Sequence, residues 1–195
     1  MLRWQNEDLN QFGHDVFKAL ALGAKRGVNM AILGGPGMGK SMVFESLDEI
    51  YNVCGKPQRD SSFPFEGILE ADVLLWQEFT YTRRICAFED LLSLWVGERF
   101  GVRCCGAKPV QHRNTAPMFY TARAPLTYRS DDVQEMIQYT QAVAERFKTR
   151  VWAHPIPMED RLPDFPRCGP CFSKFILQHE REYQWYRANI DLAEY

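Results

Sequence analysis

Residues 28–42, VNMAILGGPGMGKSM, place an apolar run directly before four glycines, a proline and a lysine. The spacing of Gly34, Gly39, Lys40 and Ser41 is that of the P-loop, in which backbone N–H groups curl around phosphate oxygens. A continuous apolar run is typical of a central parallel strand, and apolar residues recur at helical spacing after Ser41. The stretch therefore predicts a strand, a phosphate-binding loop and a helix in succession.

In a loop of this kind, backbone and side chains share the binding of a nucleotide. Lys40 is expected to reach the β- and γ-phosphates, and the Ser41 hydroxyl is a predicted Mg²⁺ ligand. An ordinary glycine-rich turn is the alternative interpretation. The predicted nucleotide-binding residues are Gly34, Gly35, Pro36, Gly37, Met38, Gly39, Lys40 and Ser41.

Composition limits the class of protein. The 195 residues are 46% hydrophobic and 13% aromatic, which is ample for one packed domain, and the net charge is −2. This charge argues against a wholly basic nucleic-acid coat but leaves room for a local basic loop. No signal peptide and no apolar stretch of bilayer length is present, so an intracellular protein without membrane contact is expected. The six cysteines are then expected to be reduced.

Strand and helix patterns alternate along the chain, which predicts a parallel α/β sheet flanked by helices. A helix is expected from Leu9 through Leu20, ending near Gly23 or Gly27. Further strands are predicted at residues 28–33, 68–76, 101–105, 116–122 and after Arg150, and further helices at residues 43–51, 88–96 and 133–147. Residues 1–157 form the predicted ATPase domain, and residues 158–195 a proline-rich segment with a C-terminal helical tail.

An acidic partner for the P-loop is expected at the end of a neighbouring strand. The segment VLLWQEF, residues 73–79, runs from four apolar residues into Gln77 and Glu78. A carboxylate there holds Mg²⁺ through water or orients the attacking water in nucleotide hydrolases. Glu78 is therefore the predicted catalytic carboxylate, the alternative being a glutamate merely exposed at a strand end.

Several segments, in order, resemble the helicase domain of superfamily 3, especially that of parvovirus replication initiator (nonstructural) proteins. GGPGMGKS resembles their Walker A motif, SSFPF the segment before the second strand, and VLLWQEF their Walker B motif. GVRCCGAKPVQHRNTAPMFYTA is similar to their run through a basic hairpin into the sensor strand. AERFKTRV, residues 144–151, is similar to the segment that carries their arginine finger. The resemblance covers roughly residues 8–157.

The resemblance implies an AAA+-like fold, a hexameric ring on single-stranded DNA and strand separation driven by ATP with Mg²⁺. It implies Lys40, Glu78 and Arg146 as catalytic residues, with Arg146 acting on a neighbouring subunit's γ-phosphate. It also implies Thr121 and Arg123 as sensor residues and Ser41 and Glu78 as Mg²⁺ contacts through the nucleotide. The implied DNA-binding residues are Lys108, His112 and Arg113.

The chain departs from the family pattern at two positions. Gln77 stands where many members carry an acid, and Arg123 stands where the sensor strand usually ends in asparagine. Both departures favour slow hydrolysis or none. The endonuclease domain that commonly precedes such a helicase has no counterpart here, so nicking activity is not expected of this chain.

The sequence Cys168-Gly-Pro-Cys171 is that of the thioredoxin redox motif. Only 24 residues follow it, too few for the helix and strands of a thioredoxin domain, so the redox interpretation is not favoured. With His154 or His179, Cys168 and Cys171 would complete a weak zinc site. A tight turn with free thiols is the remaining interpretation.

The sequence leaves three functions open. The first is a helicase motor, and the second is a nucleotide-switched assembly or DNA-binding module with little hydrolysis, which Gln77 and Arg123 favour. The third is a small-molecule kinase, because a P-loop alone does not distinguish transfer to water from transfer to an alcohol. The viral resemblance predicts the nucleus of a host cell as the location, and without it the cytoplasm is expected.

Overall fold

The computed structural model describes residues 1–129, 131–160 and 168–180. Its helices are α1 (Leu9–Leu22), α2 (Lys40–Glu45), α3 (Phe88–Val96), α4 (Val133–Ala144) and α5 (Gly169–Leu177). Its strands are β1 (Asn29–Leu33), β2 (Val53–Cys54), β3 (Val73–Trp76), β4 (Arg99–Val102), β5 (Val110–Arg113), β6 (Met118–Ala122) and β7 (Phe147–Val151). Short 3₁₀ helices cover Leu2–Gln5, Ser46–Glu49, Glu66–Leu69 and Met158–Asp160.

The central sheet has the strand order β2-β3-β6-β1-β7, and all of its pairings are parallel. Every residue of β1, β3 and β6 is buried, as expected for strands that are covered on both faces. Strands β4 and β5 form a separate antiparallel hairpin. The α/β fold class predicted from the alternating patterns is confirmed.

Two apolar clusters cover the two faces of the sheet. On one face, Leu91 and Trp95 of α3 lie in one cluster with the inward side chains of the strands. On the other face, Phe12 and Val16 of α1 and Phe44 of α2 lie in the second cluster. The P-loop is thereby fixed between β1 and α2, at the carboxyl edge of a rigid sheet.

Some predicted boundaries were wrong. The helix after the P-loop ends at Glu45 and continues only as a 3₁₀ turn, which leaves Ile50 exposed. Residues 68–72 precede β3 in a 3₁₀ turn and a loop, and the predicted strand at 101–105 lies at Arg99–Val102. Phe147 begins β7 rather than ending α4, so the last strand includes Arg150 instead of following it.

At the amino edge of the sheet, the fully buried Asn29 joins β1 to three neighbouring segments. Its Nδ2 donates to the carbonyls of Trp95 (2.6 Å), Lys25 (3.3 Å) and Arg146 (3.4 Å), and its Oδ1 accepts from Met118 N at 2.9 Å. A polar side chain is tolerated here because all of its hydrogen-bonding groups have partners.

The described part of the C-terminal tail packs against the α/β fold formed by the preceding residues. Helix α5 contacts α1 and the 3₁₀ turn after α2, and its Ile176 is buried in the second apolar cluster. Tyr183 and Ile190, predicted to extend this helix, lie outside the described residues. Within the described ranges, no helix is both long and apolar enough to cross a membrane.

Candidate nucleotide-binding site

The P-loop runs between β1 and α2 as the glycine spacing predicts. Gly34 has φ +153°, and a Cβ atom there would lie 2.4 Å from the carbonyl oxygen of Trp152. Gly39 has φ +79° and caps the amino end of α2, where backbone N–H groups are free of intrahelical partners. Glycine is therefore required at both ends of the loop, for close packing at one and for a left-handed turn at the other.

Lys40 and Glu78 meet at the carboxyl edge of the sheet. The Lys40 Nζ atom lies 3.2 Å from Glu78 Oε1 and donates a 2.8 Å hydrogen bond to the Gly35 carbonyl. Lys40 is 4% exposed, whereas the Glu78 side chain is 44% exposed. Two of the three residues predicted to be catalytic, Lys40 and Glu78, are thus adjacent, although 38 positions separate them in the sequence.

Thr121, a predicted sensor, positions Glu78 in this structure. Its Oγ1 accepts a 2.9 Å hydrogen bond from Glu78 N, and its carbonyl accepts one from Phe79 N at 2.8 Å. Thr121 is fully buried, and Glu78 has φ +46°, a conformation that non-glycine residues rarely adopt. Strand β6 therefore holds the turn after β3 in the form that presents the Glu78 carboxylate.

Arg123, the second predicted sensor residue, also reaches this carboxylate. Its Nε lies 3.7 Å from Glu78 Oε2, and its side chain is 77% exposed. Glu78 thus lies between the two cations Lys40 and Arg123. Gln77 lines a separate cavity with Lys56 and Asp48, so it does not substitute for the missing acid beside the P-loop.

A cavity of about 660 Å³ lies over the P-loop. The loop residues 36–39 line it together with Lys40, Ser41 and Glu78, so the predicted phosphate and Mg²⁺ contacts share one space. Met1, Trp4, Met42 and Ile156 add apolar walls, and Asp160 adds a second carboxylate. This combination of polar contacts at one end and apolar walls at another is typical of a cofactor pocket.

Two segments that sequence reasoning missed hold the P-loop in place. Gln5 donates to the carbonyls of Met38 and His154, and Ile156 N donates to the Gly37 carbonyl at 3.0 Å. The Trp4 indole donates to the Pro155 carbonyl at 3.3 Å. The alternation of tryptophan and polar residues at the amino terminus gives no signal for this role, because the contacts link residues that are 33 to 151 positions apart in the sequence.

The residues around this site fit Mg²⁺ only in the presence of a nucleotide. No group of three or more His, Cys, Asp or Glu side chains suited to a metal exists among the residues the structure describes. The Ser41 hydroxyl and the Glu78 and Asp160 carboxylates supply oxygen atoms, which Mg²⁺ prefers. Mg²⁺ commonly combines one or two carboxylates with substrate phosphates, so this donor set is sufficient for a nucleotide-bound ion.

Arg146, the predicted arginine finger, is buried and hydrogen-bonded within its own chain. It is 7% exposed, and its guanidinium donates to the carbonyls of Ala142 (2.7 Å) and Leu92 (3.2 Å) in its own subunit. Burial lowers the pKa of this guanidinium. Arg146 precedes β7 at the sheet edge opposite its own P-loop, and its action on a neighbouring subunit's γ-phosphate stays a prediction.

The predicted DNA-binding residues lie on the β4–β5 hairpin. Lys108 is exposed in the connection between the strands, and Arg113 donates from Nε to the Gly97 carbonyl at 2.8 Å. The His112 ring lies 6.2 Å from that of Phe100, and burial lowers the pKa of the imidazole. His112 therefore adds little positive charge to the hairpin at neutral pH.

The hairpin carries further basic residues that the sequence analysis did not include. Arg99 and Arg103 are exposed on or beside β4, and Arg99 is paired directly opposite Arg113. Like charges opposite each other in an antiparallel ladder destabilise it. Such a pairing is better suited to a surface that meets a polyanion.

Cys168 and Cys171 lie at the amino end of α5. The Cys168 Sγ accepts from Cys171 N at 3.3 Å, and its hydrogen bond to the Cys171 thiol raises the pKa of that thiol. Neither His154 nor His179 joins them in a metal cluster, since none is found within residues 1–129, 131–160 and 168–180. The structure thus gives no support to the predicted zinc site and places the cysteines in a capping turn.

Comparison with solved structures shows similarity of fold. The apo form of the NrS-1 C-terminal region superposes with a TM-score of 0.55 at 13% identity, over 92% of this chain and 41% of that one. The JCV helicase, solved with a bound acetamide compound, gives a TM-score of 0.54 at 12% identity, over 96% of this chain and 62% of that one. This chain therefore spans less than two thirds of either neighbour.

Comparisons of sequence alone give no match to a family model or to a curated protein. At 12–13% identity, the likeness to solved structures concerns the fold and not the activity. The parallel sheet, the loop between β1 and α2 and these neighbours agree with one another. The chain has an α/β fold, a parallel sheet flanked by helices, that is similar to the fold of these two structures.

Proposed function

We propose that this chain is a nucleoside-triphosphate-hydrolysing motor domain of the helicase type, which binds ATP with Mg²⁺ and acts on single-stranded nucleic acid. The observation that carries the proposal is the 3.2 Å approach of Lys40 to Glu78 beside a glycine-rich loop at the carboxyl edge of the sheet. A lysine that binds phosphate and a carboxylate that orients water are the two groups that nucleotide hydrolysis requires there.

The cavity supports a specific placement of the nucleotide. Phosphates near the amino end of α2 would receive backbone N–H groups and the Lys40 ammonium, which would leave its bond to the Gly35 carbonyl. The base would lie against the apolar wall of Met1, Trp4 and Ile156. Mg²⁺ bound to the phosphates would supply charge neutralisation, with Ser41 as a ligand and Glu78 and Asp160 holding its water.

Glu78 would act once Lys40 is engaged by phosphate. Its carboxylate would then be free of its contact with the ammonium and could orient a water molecule toward the γ-phosphate. Thr121 keeps the carboxylate at this position through its hydrogen bond to Glu78 N. Of the two predicted sensor residues, Thr121 is thus a positioning residue, and Arg123 is the one close enough to exchange its contact with Glu78 for one with phosphate.

The nucleic-acid part of the proposal rests on the β4–β5 hairpin. Arg99, Arg103, Lys108 and Arg113 give it four basic residues, and two of them face each other across the ladder. Contacts of this kind bind a phosphate backbone without reading bases. Self-association into a ring is included in the proposal on the family resemblance alone, because the Arg146 guanidinium is hydrogen-bonded within its own chain.

A nucleotide-dependent binding module with little turnover is the second candidate function. The Arg123–Glu78 ion pair favours it, because a guanidinium held on the catalytic carboxylate competes with water for that group. Turnover of ATP with and without single-stranded DNA separates the two candidates. The motor predicts Mg²⁺-dependent hydrolysis that rises with DNA, whereas saturable ATP binding with no hydrolysis under either condition would reject the motor and support the module.

A further inference from the structure

We propose that the crevice between the loop after β3 and the loop after β6 is a second anion site, which binds a phosphate group of a ligand other than the nucleotide. The crevice has a volume of about 750 Å³ and is lined by residues 78–83 and 122–129, except Tyr128. Glu78 lines both this crevice and the P-loop cavity. The two spaces are therefore neighbours that share the predicted catalytic residue Glu78.

The charge of the crevice favours an anion. Arg83, Arg123 and Arg129 line it, and Glu78 is the single acidic residue in its wall. Across the part of the chain that the structure describes, no carboxylate lies within 4.0 Å of the Arg83 or Arg129 guanidinium. Three guanidinium groups and one carboxylate in the same wall leave a local excess of positive charge, in a chain whose net charge is −2.

Arg83 is held in place before any ligand binds. Its Nη2 atom donates to the Tyr128 hydroxyl at 3.1 Å and to the Arg129 carbonyl at 3.2 Å. Its guanidinium carbon also lies 5.2 Å from the centre of the Tyr128 ring, and Tyr128 is buried. A planar cation fixed in this way loses little conformational entropy when it binds an oxyanion.

Hydroxyl groups add hydrogen-bond donors to the same wall. Thr80, Thr82 and Thr127 line the crevice beside the arginines. The Thr82 Oγ1 atom is buried and has no hydrogen-bond partner among the described residues. A buried hydroxyl without a partner is costly, and a bound phosphate oxygen would accept a hydrogen bond from it.

The ligand chemistry is that of a phosphate ester, since arginine forks and hydroxyls match phosphate oxygens. Such a group can come from the backbone of a nucleic-acid strand or from a small phosphate ester that accepts a phosphoryl group. The relevance of the site to turnover rests on the proposed function, because only a nucleotide in the P-loop cavity would place its γ-phosphate near this ligand. Binding at the crevice itself does not require that function.

The test uses the full chain carrying Lys40→Ala, which removes the P-loop contribution to phosphate binding. Inorganic phosphate, an oligothymidylate and a nucleoside monophosphate are each titrated by calorimetry. The crevice variant adds Arg83→Ala and Arg129→Ala, and the matched control adds Arg84→Ala. Arg84 neighbours Arg83 in sequence but lies outside the crevice and within 3.8 Å of Asp60.

We expect the crevice variant to bind at least one of these ligands about tenfold more weakly than the control, since each lost phosphate contact to arginine weakens binding severalfold. A loss of affinity confined to oligothymidylate, together with a smaller dependence of that affinity on salt, identifies a nucleic-acid strand as the ligand. A loss of affinity confined to the nucleoside monophosphate identifies a small phosphate ester as the ligand. This result supports the anion site and favours phosphoryl transfer to that ester over the motor function.

Equal affinities of the crevice variant and the control for all three ligands, or no saturable binding by the parent, would overturn the proposal. If the double substitution prevents folding, Arg129→Glu alone replaces it, because that side chain is exposed and has no carboxylate partner in the described structure. ATP binding by the wild-type chain is measured in parallel. If the wild-type chain does not bind ATP, the proposed function is rejected. Equal affinities of the crevice variant and the control would overturn the anion site but leave the proposed function intact.

Discussion

At the scale of single residues, Glu78 shows how the site combines strain and charge. Its left-handed backbone conformation is unfavourable for glutamate, but the bond from Glu78 N to the Thr121 hydroxyl holds it. Lys40 and Arg123 then balance the charge of the carboxylate. A group placed at this conformational cost beside a phosphate-binding loop is expected to serve a function rather than stability.

Replacing this carboxylate by an amide tests its role. Glu78→Gln keeps the shape of the side chain but removes the negative charge that orients water. We expect ATP binding to be retained and turnover to fall by about 10²–10⁴-fold, the usual contribution of a general base. Steady-state hydrolysis and equilibrium binding are measured together.

Glu70→Gln is the matched control, because Glu70 is exposed and does not line the cavity over the P-loop. Unchanged turnover in Glu78→Gln would show that Glu78 is not the base. A comparable loss in both variants would point to a general effect of charge instead.

Asn29 provides a residue-scale test of the fold. Asn29→Ala would leave the buried Trp95 carbonyl and Met118 N–H without their side-chain partner. Each buried group that loses its hydrogen bond costs about 1–3 kcal/mol, so we expect the free energy of unfolding to fall by at least about 2 kcal/mol. Urea denaturation followed by circular dichroism measures the change.

Asn52→Ala is the control, since Asn52 is exposed and its Nδ2 donates to the Glu70 carbonyl at 2.8 Å. A net loss of about 1 kcal/mol or less is expected there. Equal losses in the two variants would contradict the role assigned to the Asn29 network.

At the scale of secondary-structure elements, the sequence predicted the strands and helices whose apolar pattern is long. Helices α1 and α3 and strands β1 and β6 lie where periodicity placed them, because their buried faces repeat without interruption. The predicted element boundaries were wrong where tertiary packing interrupts the pattern. Phe147, for example, is apolar and helically spaced but begins β7. The hydrophobic face of α4 was also overestimated, since Val133 and Ile137 are exposed.

Sequence reasoning identified the part of the site that a local motif encodes. The P-loop and Glu78 follow short, recognisable signals, whereas Trp4, Gln5 and Ile156 reach the loop only through long-range contacts. Asp160 and the arginine crevice were missed for the same reason. For Arg146, sequence could not reveal that the guanidinium is used by its own subunit.

The β4–β5 hairpin carries an element-scale prediction. Arg99→Ala with Lys108→Ala removes two exposed positive charges, and Arg113 keeps its bond to the Gly97 carbonyl. We expect weaker binding of single-stranded DNA at low salt for all sequences. The slope of log K against log salt should flatten by about one to two units. Fluorescence anisotropy across a salt series measures both quantities.

Lys25→Ala is the control for charge, because Lys25 is exposed in the connection between α1 and β1 and is not part of the hairpin. A hairpin variant with the wild-type slope would remove this element from the nucleic-acid path. The same slope change in Lys25→Ala would indicate an unspecific electrostatic effect.

At the scale of the whole molecule, the sheet brings the P-loop, the loop after β3 and the cations Lys40 and Arg123 to one edge. A motor of the proposed type also requires that the subunits associate into a ring. If the ring forms, light scattering should show a mass several times the 22.7 kDa of one chain when Mg·ATP and single-stranded DNA are present. A single-chain mass under every condition would contradict ring assembly. The proposal that a single subunit binds a nucleotide would be unaffected by that result.

The central requirement is that the loop at residues 34–41 binds a nucleotide through Lys40. Equilibrium binding of Mg·ATP is therefore measured for the wild-type chain and for Lys40→Ala, with circular dichroism to confirm that both are folded. We predict saturable binding by the wild type and an affinity at least about tenfold lower in Lys40→Ala, because the variant lacks a charge-assisted hydrogen bond to phosphate. Equal affinity in a folded Lys40→Ala chain, or no binding by the wild type, would contradict this assignment.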